Sequence, residues 1–293
     1  MFRHTLFRIT CLFLLSFIVL PSQAQETTVK GSHFRFIFMT DIHIQPGAEN
    51  EFQKAIVKAA SFDPDFIITG GDLVMDALEV KKTTADSLFE LYKRISSLSP
   101  VPVYNTPGNH DIWGWGLKNA DTLDPDYGYG MFKRLLGNPF QLFSHKGIFF
   151  LILPSVVYNS GSAYVGSFSH ETLKQVKETL QTVPKDAPLV LITHIPILTA
   201  ETQWEEGALI PNHPMTAVGN SSELLNLLSE HNLKLILQGH LHIYERIEIA
   251  GVQIITGGAV SGKWWQGVYK KTPRGFLLVD VNSSTFSTQY ITY

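Results

Sequence analysis

Cysteine is all but missing. The chain of 293 residues has one, Cys11, set inside an apolar run and not at its end. That position does not suit a lipid-attached cysteine. Once the leader is removed, no thiol remains for a disulfide, a thiolate metal site or a cysteine nucleophile. A basic surplus is lacking as well: 23 Lys and Arg stand against 26 Asp and Glu, a formal net charge of −3. Nonspecific nucleic-acid binders carry a basic face, so no nucleic acid is expected as a partner. There is no block of like charge, internal repeat or low-complexity linker. Beyond the first 24 residues no apolar stretch is long enough to cross a membrane.

Those 24 residues look like a secretory leader. Arg3 and Arg8 precede an apolar run, Ile9 to Leu20, and Pro21-Ser22-Gln23-Ala24 offers small residues for cleavage before Gln25. An uncleaved anchor is the alternative, but the run falls short of the roughly 20 residues a span needs. Cleavage takes two arginines and shifts the net charge from −3 to −5. Export without disulfides suits a bacterial periplasm, so the expected location is secreted or periplasmic. Residues 25–293 are then expected to form a single domain.

What is present is a large apolar fraction, 44%, in short runs of Ile, Leu, Val and Phe. Phe34–Thr40, Asp65–Thr69, Val101–Asn105, Ile148–Leu153, Leu189–Thr193 and Leu233–Leu237 read as strands buried on both faces. Val252–Thr256, Phe276–Val281 and Phe286–Thr292 follow with little between them and predict antiparallel pairing. Amphipathic segments at Glu49–Ala60, Thr83–Leu98, Ser169–Leu180 and Asn220–Glu230 predict helices. Ser169 and the Ser221-Ser222-Glu223 stretch are the expected caps. Strand–helix alternation followed by consecutive strands predicts an α/β fold with mixed sheets, two sheets face to face with helices outside. Trp113–Tyr129 lacks periodicity and predicts a long loop.

Five short segments near strand ends carry Asp, Asn and His. They are Asp41-Ile42-His43, Gly70-Gly71-Asp72, Gly108-Asn109-His110-Asp111, Thr193-His194-Ile195-Pro196 and Gly239-His240-Leu241-His242. Alone, each has an ordinary explanation as a turn, a cap or a buried histidine. Together they supply the lone-pair donors that two divalent ions need: carboxylates Asp41 and Asp72, imidazoles His43, His194, His240 and His242, and the amide of Asn109. Asp72 can bridge, having two oxygens. Imidazole-rich sets suit Mn, Fe or Zn better than Ca or Mg. Asp41 and His43, at i and i+2, can hold one ion together. His240 and His242 share that spacing, although a turn there could send them to different ions. Glycines beside these residues permit tight turns and close approach.

The five segments, spread over Phe34 to Gly258, resemble the calcineurin-like metallophosphoesterase superfamily. Their nearest flavour is the cyclic-nucleotide phosphodiesterase branch, with its Gly-Asn-His-Asp and Gly-His-x-His. The resemblance implies a four-layer αββα sandwich. It also implies one ion on Asp41, His43, Asp72 and His242, and another on Asp72, Asn109, His194 and His240. His110 would be the catalytic histidine, assisting the leaving group, with Asp111 as its partner. The expected reaction is hydrolysis of a phosphate mono- or diester by a metal-bridging hydroxide. Purple acid phosphatases are similar but carry a Tyr three residues after the bridging Asp; Met75 stands there, so no iron–tyrosinate is expected.

Substrate choice falls to the aromatic loops. Trp113, Trp115, Trp204, Trp264 and Trp265, with His213, are candidates for stacking on a ring or contacting substrate. The bland alternative is that several of them only pack the loops. The expected substrates are small-molecule or envelope-polymer phosphate esters. The competing readings are a nuclease or nucleotidase, and a non-catalytic metal-binding scaffold of the same fold.

Overall fold

Side chains alternate across a strand, so a strand buried on both faces must feed two different cores. The computed structural model describes residues 33–293. In chain order the elements are β1 (His33–Met39), α1 (Glu49–Ala60), β2 (Phe66–Thr69), α2 (Lys82–Ser96), β3 (Val103–Tyr104), α3 (Gly130–Leu136), β4 (Gln141–His145), β5 (Ile148–Ile152), β6 (Val156–Asn159) and β7 (Ala163–Gly166). Then come α4 (His170–Leu180), β8 (Pro188–Ile192), α5 (Glu201–Glu206), α6 (Ser221–Leu228), β9 (Asn232–Gln238), β10 (Tyr244–Ile249), β11 (Val252–Gly257), β12 (Gly275–Asn282) and β13 (Thr285–Thr292).

Five strands form one sheet in the order β13-β12-β1-β2-β3, and six form another in the order β10-β11-β9-β8-β5-β4. Phe34, Phe36 and Phe38 of β1 enter the same cluster as Phe150 and Ile152 of β5, Val190 and Ile192 of β8, and Leu235 and Leu237 of β9. That cluster is the seam between the sheets. The alternate residues Ile37 and Met39 pack with Phe52 and Ile56 of α1 and Phe89 and Tyr92 of α2. On the other sheet, Leu189, Leu191 and Ile236 pack with Val176 of α4 and Leu224 of α6. The result is the expected α/β architecture with mixed sheets, layered helix–sheet–sheet–helix. Burying each ring of the seam contributes about 1.5–3 kcal/mol.

β1, β2 and β3 run parallel, as do β5, β8, β9 and β11. The loops after β1, β2, β3, β8 and β9 therefore leave from carboxyl ends, where open α/β sheets build their sites.

Several elements differ from expectation. Of the run Val101–Asn105 only Val103 and Tyr104 pair; Pro102 has no N–H to donate and the Asn105 side chain accepts from Tyr92 Oη. The C-terminal strands are not all antiparallel, because β11 joins β9 in parallel. β10 escapes a search for apolar runs because Arg246 and Glu248 alternate with Ile247 and Ile249 along an edge strand. β4, the β6–β7 hairpin, α3 and α5 are likewise additions. At α4 the expected cap is present, Ser169 accepting from Thr172 N. At α6 it is not: Asn220 precedes the helix, and its side chain instead accepts from Phe168 N. The leader, its cleavage point and Cys11 lie outside the described residues.

Candidate metal centre

Backbone conformation already sets the candidate residues apart. Asp41, His43, Asp72, His240 and His242 all have positive φ, between 47° and 75°. Side-chain-bearing residues rarely adopt that region, which costs about 1–3 kcal/mol each and tends to mark functional sites. At a strand end it turns the side chain away from the strand line. Glycine is needed where the loops meet. A Cβ on Gly108 would lie 2.2 Å from Asp72 N, and one on Gly71 2.6 Å from His194 Nδ1.

The side chains converge in two groups. Asp41, His43 and His242 bring ligand atoms within 4.8 Å of one another, as do Asp72, His194 and His240, and a third set, His43, Asp72 and His110, overlaps both. Asp72 faces both, with Oδ2 3.6 Å from His43 Nε2 and Oδ1 3.3 Å from His194 Nε2. Asn109 Oδ1 lies 3.0 Å from His194 Nε2, and His240 Nδ1 lies 3.2 Å from that same nitrogen. His43 Nε2 and His242 Nε2 are 3.0 Å apart, with Asp41 Oδ1 3.4 Å from the latter. Thus the two histidines of Gly239-His240-Leu241-His242 do separate between the groups.

Protonation follows from the surroundings. His194 Nδ1 lies 2.8 Å from the carbonyl of Gly70, and His242 Nδ1 2.6 Å from that of Gly262. A carbonyl only accepts, so both Nδ1 atoms carry a proton, and in the neutral form of each ring the Nε2 lone pair faces the centre. Burial pushes His43 down to about 3 and His240 down to about 4, which keeps them neutral. Burial opposes charge on His194 too, but Asp72 outweighs it and raises this ring to about 9. Asp72 is held well below the carboxylate range by His194 and His110 despite its burial. Carboxylate and imidazole lone pairs crowded this closely repel unless a proton or a cation sits among them. A divalent cation suits every donor present.

Calcineurin-like phosphoesterase sequences match residues 34–244. The chain belongs to that family. No curated protein sequence matches it. Solved structures share the fold of this phosphoesterase at low identity. A dimetal phosphatase from Danio rerio is 13% identical with a TM-score of 0.63, covering 89% of this chain and 99% of that one. GAP50, the anchor in the inner membrane complex of Plasmodium, is 17% identical with a TM-score of 0.57, covering 89% and 84%. The phosphopantetheinyl hydrolase of Mycobacterium tuberculosis is 15% identical with a TM-score of 0.50, covering 78% and 91%. The family and the two residue groups together point to a binuclear divalent-metal site and to metal-dependent hydrolysis of phosphoesters.

His110 of the phosphoesterase sits at the mouth of this centre, half-buried, its ring 4.9 Å from that of His43. The expected pairing of His110 with Asp111 is absent. Asp111 is fully buried and accepts from the backbone N–H of Leu73, Val74 and Gly108 at 2.8–3.1 Å. It ties the Asp72 loop to the Asn109 loop. The carboxylate nearest His110 belongs to Asp76, whose Oδ1 lies 3.8 Å from His110 Nδ1. Only its place four residues after Asp72 could have hinted at that.

The aromatic candidates divide. Trp264 stands against the centre, its ring 4.6 Å from that of His242 and 6.0 Å from that of His43. Trp265 supports it from behind, Nε1 donating to His43 O at 2.9 Å. Trp113 is a correction: it is buried, donates to Val80 O and packs into the core, so it offers no face to a substrate. Trp115 packs against Tyr129 at the end of its loop and against Tyr158 of β6. His213 is exposed, and its Nδ1 accepts from Met215 N. Trp204, on α5, is 90% exposed. Ser155 was not legible beforehand: its Oγ accepts from His194 N and Ile195 N.

Proposed function

We propose that this phosphoesterase is an exported enzyme whose residues 25–293 form one catalytic domain hydrolysing phosphate mono- or diesters. Asp41, His43, Asp72 and His242 would hold one divalent ion, and Asp72, Asn109, His194 and His240 the other. Mn, Fe or Zn suits this oxygen–imidazole mixture. The carrying observation is Asp72, whose two oxygens face two separate histidine groups.

Two bound ions supply Lewis-acid chemistry, lowering the pKa of water and drawing charge from phosphoryl oxygens. The chain's own residues do the rest. The Gly70 and Gly262 carbonyls keep the rings of His194 and His242 turned inward. Asp111 holds two donor-bearing loops in register. His110, at the mouth, is placed to give a proton to the departing ester oxygen, and Asp76 lies beside its Nδ1.

A non-catalytic scaffold is the second reading, prompted by the Plasmodium anchor of the same fold. The complete donor set and His110 weigh against it. The test is metal-stripped protein given Mn, Zn or Fe(II) and then p-nitrophenyl phosphate or bis-p-nitrophenyl phosphate. Hydrolysis is expected only after metal is returned. No release of nitrophenolate with any metal would overturn the enzyme reading. No helix among the described residues is long and apolar enough to cross a membrane.

A further inference from the structure

A cavity of about 600 Å³ opens between α5, the start of the β10 edge and the turn Tyr269–Thr272. Its floor begins at Ile243, the residue after His242. The Tyr269 ring lies 5.7 Å from both His242 and Trp264, and the next residue, Lys270, lines the cavity. The volume suits a small ring system.

The chemistry of the walls is uneven. Lys270 Nζ donates to Glu201 Oε1 at 2.6 Å and to Glu205 Oε2 at 2.8 Å. Glu245 accepts from Ala200 N and from Thr256 Oγ1. Thr272 Oγ1 accepts from Tyr244 N. Those polar groups are engaged. What is left is the Trp204 face, 90% exposed, the side of the Tyr244 ring that does not stack on Tyr290, and the Lys271 ammonium, which makes no ion pair among the described residues. Lys270 and Lys271 both have positive φ, 41° and 66°, in a two-residue turn closed by Tyr269 N to Thr272 O. Such turns favour Asn-Gly, so two lysines there are strained, and strain of this kind tends to collect at binding sites. The turn is held by the Lys270 ion pairs and sets Lys271 at the rim.

Resting on the phosphoesterase reading above, we infer that this cavity holds the nucleobase of a nucleoside phosphodiester whose phosphate lies at the metal centre. A planar base stacks on an exposed indole, and its carbonyls accept from a free ammonium. A sugar ring needs several free hydrogen-bonding groups, and here those are occupied.

The test compares three nitrophenyl diesters on the metal-loaded full chain: thymidine 5′-, cyclohexylmethyl and methyl p-nitrophenyl phosphate. KM is expected about tenfold lower for the thymidine ester than for either other ester. Trp204→Ala should raise that KM about tenfold, leave kcat unchanged and leave the methyl ester untouched; Trp204 is exposed, so the fold is not at risk. An unchanged KM in Trp204→Ala, or an equal advantage for the cyclohexylmethyl ester, overturns the inference while the hydrolase reading stands. Calorimetric binding of thymidine 5′-phosphate, weakened about tenfold by Trp204→Ala, reads the cavity even if no ester turns over. Absent or unweakened binding also overturns it.

Discussion

The ring of His110 faces Asp76, with Nδ1 3.8 Å from Oδ1. That carboxylate oxygen also accepts from Leu78 N and Glu79 N, so it is fixed in place before any substrate arrives. His110 Nδ1 makes no hydrogen bond, so Asp76 stands beside the ring on the Asp72 loop as a fixed carboxyl and not as a hydrogen-bonded partner.

Replacing His110 by Ala should lower kcat about 10²–10⁴-fold, the usual range for losing a general acid. Both metals should remain bound, as read by elemental analysis of the purified variant. Asp76→Asn should lower kcat less, since Asn keeps an oxygen for the two backbone donors. Combining the two changes should add little to His110→Ala alone. Loss of metal in His110→Ala would mean that the ring is a ligand.

Asp111 offers a different outcome. Its Oδ1 accepts from Leu73 N and Val74 N, and its Oδ2 from Gly108 N. Asp111→Asn turns an amide donor toward one of these N–H groups, whichever way the side chain sits. The cost expected is about 1–3 kcal/mol in urea unfolding. Because the two tied loops carry Asp72 and Asn109, metal affinity should fall with it, measured by competition with a chelator.

Gly108→Ala should be more severe. The new methyl would stand 2.2 Å from Asp72 N, and backbone cannot retreat as a flexible side chain can. Overpacking of this kind costs about 1–3 kcal/mol, and the displaced Asp72 should also lose metal. The check is thermal melting with and without added Mn. A wild-type response to Mn in this variant would show that the Asp72 position is not needed for binding.

Acid stability should depend on the loop that packs Trp113. Arg134 and then Lys82 hold the Asp126 carboxyl below its ordinary value of about 3.9, against the opposing effect of burial. A carboxylate with a lowered folded pKa contributes stability that is present above the ordinary value and lost as pH falls through the folded one. Asp126→Asn should therefore lower the urea midpoint at pH 7 and narrow the gap to wild type as pH falls below about 4. An equal deficit at pH 7 and at pH 3 would remove the ion pair as the cause.

The seven donors were legible as a group because each lies one to five residues past an apolar run, and four glycines sit beside them. Periodicity likewise exposed the layered architecture, since strands buried on both faces need helices outside. β10 was hidden because an edge strand has one wet side and alternates with charge. The partner of His110 was misassigned because adjacency in sequence suggested Asp111, whereas a turn of 3₁₀-helix over Asn109–Asp111 sends the two side chains to different places.

By itself, then, the sequence determined the chemistry available: oxygen and imidazole donors, a single cysteine, and apolar runs of a length that makes strands. Composition and spacing are properties of the chain, and hydrophobic alternation is local. Tertiary structure alone decided which donors share a neighbour, which carboxylate faces His110, and which tryptophan is wall and which is core. Those are distances between residues far apart in the chain, such as Asp41 and His242. They exist only once two sheets close over a common seam and bring their carboxyl ends to one edge.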